Sequence, residues 1–197
     1  MSSGAGVNEE TFGAAERIAE VLQRAHVETA VIGAVALAAH CYPRSTEDLD
    51  LAVGVHPSML EQIADDLRKD GFVVKWSAPD PQDPLGGVLR VHREGIERIE
   101  IVNFHNPPAS GIPALVDPAI REAVPYREGS KLRVVTLPHL ILFKLYAGGT
   151  KSKTDVLELL SRNPDLDLDD LRVRCRKLGM DRKLEAWLRD LSSSAEE

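Results

Sequence analysis

Cysteine is scarce: the 197 residues hold two, Cys41 and Cys175. They fall in different segments and neither belongs to a C-x-x-C pair, which excludes a disulfide framework and a structural zinc site and suits a reducing compartment. Long apolar runs are also missing. No window approaches the roughly 18 uninterrupted apolar residues of a membrane-spanning helix. The stretch MSSGAGVNEETF has no basic region followed by an apolar one, so a soluble, unexported, cytoplasmic protein is expected. Nor is there an excess of positive charge. At a formal net charge of −7 the chain cannot cling to nucleic acid by overall charge, and any such contact must be local. The six histidines show no H-E-x-x-H or other ligand spacing, and no G-x-S-x-G element supports Ser-His-Asp chemistry. AGGTKSKT lacks the second glycine of a phosphate-binding P-loop and no strand precedes it. Trp76 and Trp187 are too far apart in sequence to suggest a base-stacking platform.

What is present is enough apolar residue, 43%, for one good core. Glu9 to His26 repeats apolar residues at helical spacing, with Ile18, Val21 and Leu22 on one side. TAVIG reads as a short strand ending at Gly33, and AVALAAHCY suits a tightly packed helix. EDLDLAV alternates as a strand. HPSMLEQIADDLRKDG follows as a helix, with Ser58 as its cap and Gly71 as its stop. Three further β-like runs, FVVKW, GGVLRVHR and ERIEIVNF, end in a hairpin turned at Glu94-Gly95. The proline-rich NPPASGIPALVDPAIREAV reads as a connection with a short helix, LRVVT as one more strand, and everything from Leu137 onward as helix broken at Gly148-Gly149, Asn163-Pro164 and Gly179. The expected class is α+β: a mixed β-sheet flanked by helices over 11–136 and a helical region over 137–192, between flexible ends 1–10 and 193–197.

The chemistry concentrates in one strand. Residues two apart face the same side, so Asp48 and Asp50 point together while Leu49 and Leu51 face the core. Two carboxylates this close repel each other unless a cation lies between them, and oxygen-only ligands suit Mg²⁺ or Mn²⁺. An isolated D-x-D is usually only a solvent-facing pair. Here it has company. Gly33 lies between a strand and a helix, where backbone N–H groups can face a phosphate. Glu100, between Ile99 and Ile101, offers a third acid on a strand able to lie beside the first, and three such ligands suit a two-metal site with the ions roughly 3.5–4 Å apart.

Gly33-Ala34, a helix, Arg44-x-Thr46-x-Asp48-x-Asp50 and a later strand acid together resemble the polymerase-β-type nucleotidyltransferase superfamily, whose pattern is G-[GS], a helix, D-x-[DE] and a third [DE]. The R-x-T-x-D-x-D form and the downstream LPHLILFKLYAGGTKSKTDVLELL resemble the small bacterial AbiEii/MenA-type toxin nucleotidyltransferases, and Lys144 and Asp155 match their C-terminal motif by position. The resemblance spans roughly residues 25 to 165. It implies a nucleotidyltransferase-like fold and transfer of NMP from an NTP such as ATP to an acceptor hydroxyl on tRNA, a protein or a small molecule. It also implies a Mg²⁺ or Mn²⁺ site at Asp48, Asp50 and Glu100, with Glu100 helping to deprotonate the acceptor, and a place in a toxin–antitoxin pair with an antitoxin protein as partner. Gly33, Ala34, Arg44, Thr46, Lys144 and Asp155 would bind the nucleotide, and Lys144 would also act in catalysis.

Each of these residues has a plainer reading. Arg44 either meets phosphate through its guanidinium fork or pairs with Asp48 or Glu47; Thr46 either binds nucleotide or caps the turn before the strand. Lys144, in an apolar helix, either snorkels to water or meets an anion. Asp155 either orients Lys144 or supplies negative charge to a first helical turn. Ala34, where the pattern has Gly or Ser, and Glu100, where Asp is commoner, support a second reading: a binding or regulatory module that keeps the fold without the chemistry.

Overall fold

The structure, a computed structural model, describes residues 7–80, 85–106 and 113–194. The expected flexible ends therefore lie partly outside the described residues, as do parts of the turn-rich SAPDPQDPL and of the proline-rich connection. Helix α1 (Glu9–Arg24) opens with the Asn8 side chain accepting from the Thr11 N–H, and Glu9 and Glu10 occupy its first turn, where negative charge meets the helix dipole. There follow β1 (Ala30–Ile32), α2 (Gly33–Ala39), β2 (Asp48–Val53), α3 (Pro57–Lys69), β3 (Val73–Ser77), β4 (Val88–His92), β5 (Arg98–Asn103), α4 (Pro113–Arg121), β6 (Val124–Pro125), β7 (Arg133–Val134), α5 (Leu137–Ala147), α6 (Gly149–Arg162), α7 (Leu168–Lys177) and α8 (Asp181–Ser194).

One mixed seven-stranded sheet runs in the order β3-β4-β5-β2-β1-β7-β6. β2 is central, antiparallel to β1 and parallel to β5, and β4 and β5 form the expected hairpin. Along β2 and β5 alternate residues divide the sheet into two faces. Leu49, Leu51, Ile99 and Ile101 are fully buried on one, in a core shared with Ile18 and Leu22 of α1 and Leu60, Ile63 and Leu67 of α3. Asp48, Asp50 and Glu100 lie on the other, half-buried.

Local chemistry moves several boundaries. Helix α3 is capped by the His56 ring, which accepts from the Ser58 N–H, with Pro57 in the first turn; Ser58 is thus inside the helix rather than its cap. Helix α6 begins at Gly149, before the expected KTDVLELL, because Gly148 at φ +68° reverses the chain directly after α5. The two-residue β6 carries no periodicity by which a sequence could announce it.

Candidate active site

The register of the central strands assembles the acids. In the parallel β2–β5 pair Asp50 lies opposite Glu100 and Asp48 opposite Arg98; across the hairpin Arg90 lies opposite Glu100, and Lys75 of β3 opposite Arg90. A row of four charged side chains, Asp50, Glu100, Arg90 and Lys75, thus crosses four neighbouring strands on the sheet face away from α1 and α3. Like charges directly opposite one another weaken a sheet, and this row puts two acids side by side and two bases side by side.

Asp50 shows the strain of that placement. Burial first, then the charges of Glu100 and Asp48, push its carboxyl up to about 6, against the opposing pull of Lys144 and Arg98. Its carboxylate rests on the turn at Gly33: a Cβ there would lie 1.9 Å from Asp50 Oδ2, and Gly33 adopts φ +67°. Glycine is therefore required twice, for the backbone conformation and for the space the carboxylate occupies. Ala34 is buried directly behind it, at the start of α2.

Asp48 and Glu100 are engaged by arginines that sequence spacing did not single out. Arg98 Nη2 donates to Asp48 Oδ2 at 2.7 Å, Arg98 Nε stands 3.2 Å from Glu100 Oε1, and Arg90 Nε donates to that same oxygen at 3.0 Å. Arg98 and Glu100 alternate visibly in RIEIVNF, so Arg98 was open to discovery; Arg90 needed the hairpin register. The Thr46 hydroxyl donates to the Asp48 carbonyl at 2.9 Å and accepts from the Asp48 N–H at 3.2 Å, closing the turn into β2.

Lys144, Asp155 and Arg44 form a second cluster. Lys144 Nζ donates to Asp155 Oδ2 at 2.7 Å and Arg44 Nη1 to Asp155 Oδ1 at 3.2 Å. The Asp155 side chain is 1% exposed, so this is a buried carboxylate held by two cations. The partner of Arg44 is thus Asp155, and Asp155 lies well inside α6 rather than in its first turn and accepts from Lys144. Between the clusters opens a cleft of about 470 Å³ lined by Gly33, Asp50, Val102, Phe104, Phe143, Lys144 and Tyr146. Its walls are apolar and aromatic, with one acid and one base at the end nearest the carboxylates, a division that suits a ligand with a flat ring and an anionic tail.

The donor set fits a hard divalent cation in kind, since all three candidate ligands are carboxylates and their mutual repulsion is what such a cation relieves. As the side chains stand, no three His, Cys, Asp or Glu among the described residues form a ready-made metal-binding group. Guanidinium groups of Arg98 and Arg90 stand on oxygens of Asp48 and Glu100 that a metal would use.

The sequence matches no protein-family model, and no curated protein matches it. Solved structures do resemble the fold. The solution structure of the antibiotic-resistance factor ANT(2'')-Ia is 16% identical, with 95% of this chain and 97% of that one covered at a TM-score of 0.50. The crystal structure of ANT(2'')-Ia in complex with adenylyl-2''-tobramycin is 17% identical, covers 86% and 97% and scores 0.54. An antigenic nucleotidyltransferase-like protein from Paracoccidioides brasiliensis is 16% identical, covers 93% and 94% and scores 0.53. At such identities the likeness is one of fold: the chain has the mixed α+β nucleotidyltransferase fold. The finer resemblance to AbiEii/MenA-type toxins rests on the sequence motifs alone. No described helix is long and apolar enough to cross a membrane.

Proposed function

We propose that the protein is a nucleotidyltransferase that uses Mg²⁺ or Mn²⁺ and transfers NMP from an NTP to an acceptor hydroxyl. The observation that carries this reading is the register that sets Asp50 beside Glu100 and two residues from Asp48, on one sheet face, with the Asp50 carboxylate resting on Gly33. Asp48, Asp50 and Glu100 would hold the metal, which supplies charge neutralisation at the triphosphate and activation of the acceptor hydroxyl. The neighbouring fold of ANT(2'')-Ia, seen with an adenylylated product, supports the same class of transfer.

The chain's own residues divide the remaining work. The cleft beside Gly33 takes the nucleotide, with the ring of the base against Phe104, Phe143 and Tyr146 and the phosphates toward Gly33 and Lys144. Lys144 and Arg44 share the buried Asp155 carboxylate, so the cluster holds one net positive charge, which Lys144, lining the cleft, presents to the phosphates. Glu100, opposite Asp50 in the neighbouring strand, would take the acceptor proton. The acceptor is a hydroxyl on tRNA, a protein or a small molecule. The motif resemblance supports a toxin role with an antitoxin partner, for which growth arrest on induced expression, abolished by Asp50→Asn, is the expected result.

The central test is calorimetry with each NTP in the presence and absence of Mg²⁺, together with transfer of labelled nucleotide. NTP binding should require the metal, and Asp48→Asn or Asp50→Asn should lower transfer by at least about 10²-fold, the scale of removing one group that stabilises charge in a transition state. Metal-independent NTP binding without transfer would instead mark a module that keeps the fold alone.

A further inference from the structure

We infer that Arg98 and Arg90 are exchangeable counter-ions of the carboxylate site: they hold Asp48 and Glu100 while no divalent cation is bound, and they compete with it for the same oxygens. The inference rests on the metal-dependent reading above and concerns positioning residues that this reading leaves without a role.

Three ion pairs support it. Arg98 spans the two acids, 2.7 Å from Asp48 Oδ2 and 3.2 Å from Glu100 Oε1, and Arg90 adds 3.0 Å to that same Glu100 oxygen. A carboxylate oxygen engaged by two guanidinium groups has little lone-pair capacity left for a metal. Asp50 has no ion-pair partner among the described residues, and Lys144, which lines the same cleft, is committed to Asp155. Two of the three acids are therefore paired with cations and Asp50 is not.

The arginines are also placed to leave. Their side chains are 50% and 40% exposed, against 16% for Lys144, so their guanidinium groups lie at the solvent edge and can move without opening the core. Both arginines line a groove of about 520 Å³ that is also bordered by Val73, Lys75, His92 and Glu97, and Arg90 already has a second acceptor besides Glu100, the Ser77 hydroxyl at 2.8 Å. Lys144, held in a nearly enclosed pair, has no such freedom. The two clusters thus play different parts: one is a fixed charge for the nucleotide, the other a removable charge for the acids.

A competitor that is removed raises the affinity of the ligand it opposed, whereas a residue that merely orients a carboxylate lowers it when lost. Mn²⁺ binding to the full chain, followed by calorimetry and by electron paramagnetic resonance of free Mn²⁺, separates the two. Arg98→Ala should bind Mn²⁺ roughly five- to tenfold more tightly than wild type, Arg90→Ala more tightly by a smaller factor, and Arg98→Lys should fall between wild type and Arg98→Ala. Without metal Arg98→Ala should melt at a lower temperature, since three acids then face one another, and Mn²⁺ should raise its melting temperature more than that of wild type. Arg98→Gln, closer in size, repeats the test should Arg98→Ala not fold. Equal or weaker Mn²⁺ affinity in the arginine variants, with wild type binding the ion, overturns this inference and leaves the proposed function standing. No Mn²⁺ binding by wild type or any variant overturns both.

Discussion

Asp50 carries the cost of the site. In the folded protein its carboxyl sits at about 6, raised first by burial and then by Glu100 and Asp48. The folded state therefore holds the proton more tightly than the unfolded chain. Below about pH 4 both states are protonated and the penalty is absent; it grows as pH rises toward 6 and is fully present above it. Allowing for partial solvation, an ionised Asp50 costs on the order of 2 kcal/mol. Asp50→Asn, isosteric and neutral, should raise the melting temperature by about 4–8 °C at pH 8 and leave it nearly unchanged at pH 4, while abolishing transfer. A scan of melting temperature against pH for both proteins checks the sign: a variant less stable than wild type at pH 8 would mean that the carboxylate is held by favourable contacts.

At the scale of elements, Asp155 joins three pieces of the fold: α6, which carries it, α5 through Lys144, and the segment between α2 and β2 through Arg44. Removing one member of a buried ion cluster leaves the others uncompensated, a loss of about 3 kcal/mol. Asp155→Asn should therefore reduce the unfolding free energy by about that amount in urea titration and weaken NTP binding by displacing Lys144. Lys144→Met combined with Asp155→Leu should recover part of the stability and none of the binding.

The same cluster marks how far a sequence can be read. Alternation along EDLDLAV and RIEIVNF places Asp48, Asp50 and Glu100 on one face because period-two patterning is local, and β2 and β5 form as expected. That Glu100 stands opposite Asp50, and that Arg90 and Arg98 reach these acids, depends on pairings between strands far apart in sequence. No local pattern encodes them. Asp155 was ambiguous for a related reason. The sequence marks the helix from Lys153, which would put Asp155 in a first turn; Gly148 starts it at Gly149, and the deeper position makes the carboxylate a partner for cations.

Over the whole molecule, the sign of charge changes across one sheet face. The chain is acidic, with a net charge of −7, yet from Asp50 outward the row passes through Glu100 to Arg90 and ends at Lys75 on the edge strand β3. Lys75 has no ion-pair partner among the described residues, and Arg90 leans away from it toward Glu100 and Ser77. Glu97, bordering the same groove, is committed to the start of α1 through Thr11 and the Asn8 N–H. An acceptor approaching the acids from the β3 side thus meets a groove of mixed sign, in which Glu47, Asp48 and Glu97 stand against Lys75, Arg90 and Arg98 with Lys75 as the cation on the edge strand, and screening confines the field of Lys75 to within about 8 Å at physiological ionic strength. This favours an acceptor with negative charge close to its reactive hydroxyl over a polycation, and a short contact over a long nucleic-acid track. Labelled-nucleotide transfer to a short single-stranded oligonucleotide, to an uncharged nucleoside and to a polyamine-like aminoglycoside should rank in that order, and the oligonucleotide reaction should weaken as salt rises. Lys75→Glu should raise the oligonucleotide KM by about tenfold, with NTP affinity unchanged, because Lys75 borders the outer groove and not the nucleotide cleft. An unaltered KM in Lys75→Glu, or preference for the aminoglycoside, would place the acceptor on the other side of the acids, against α5.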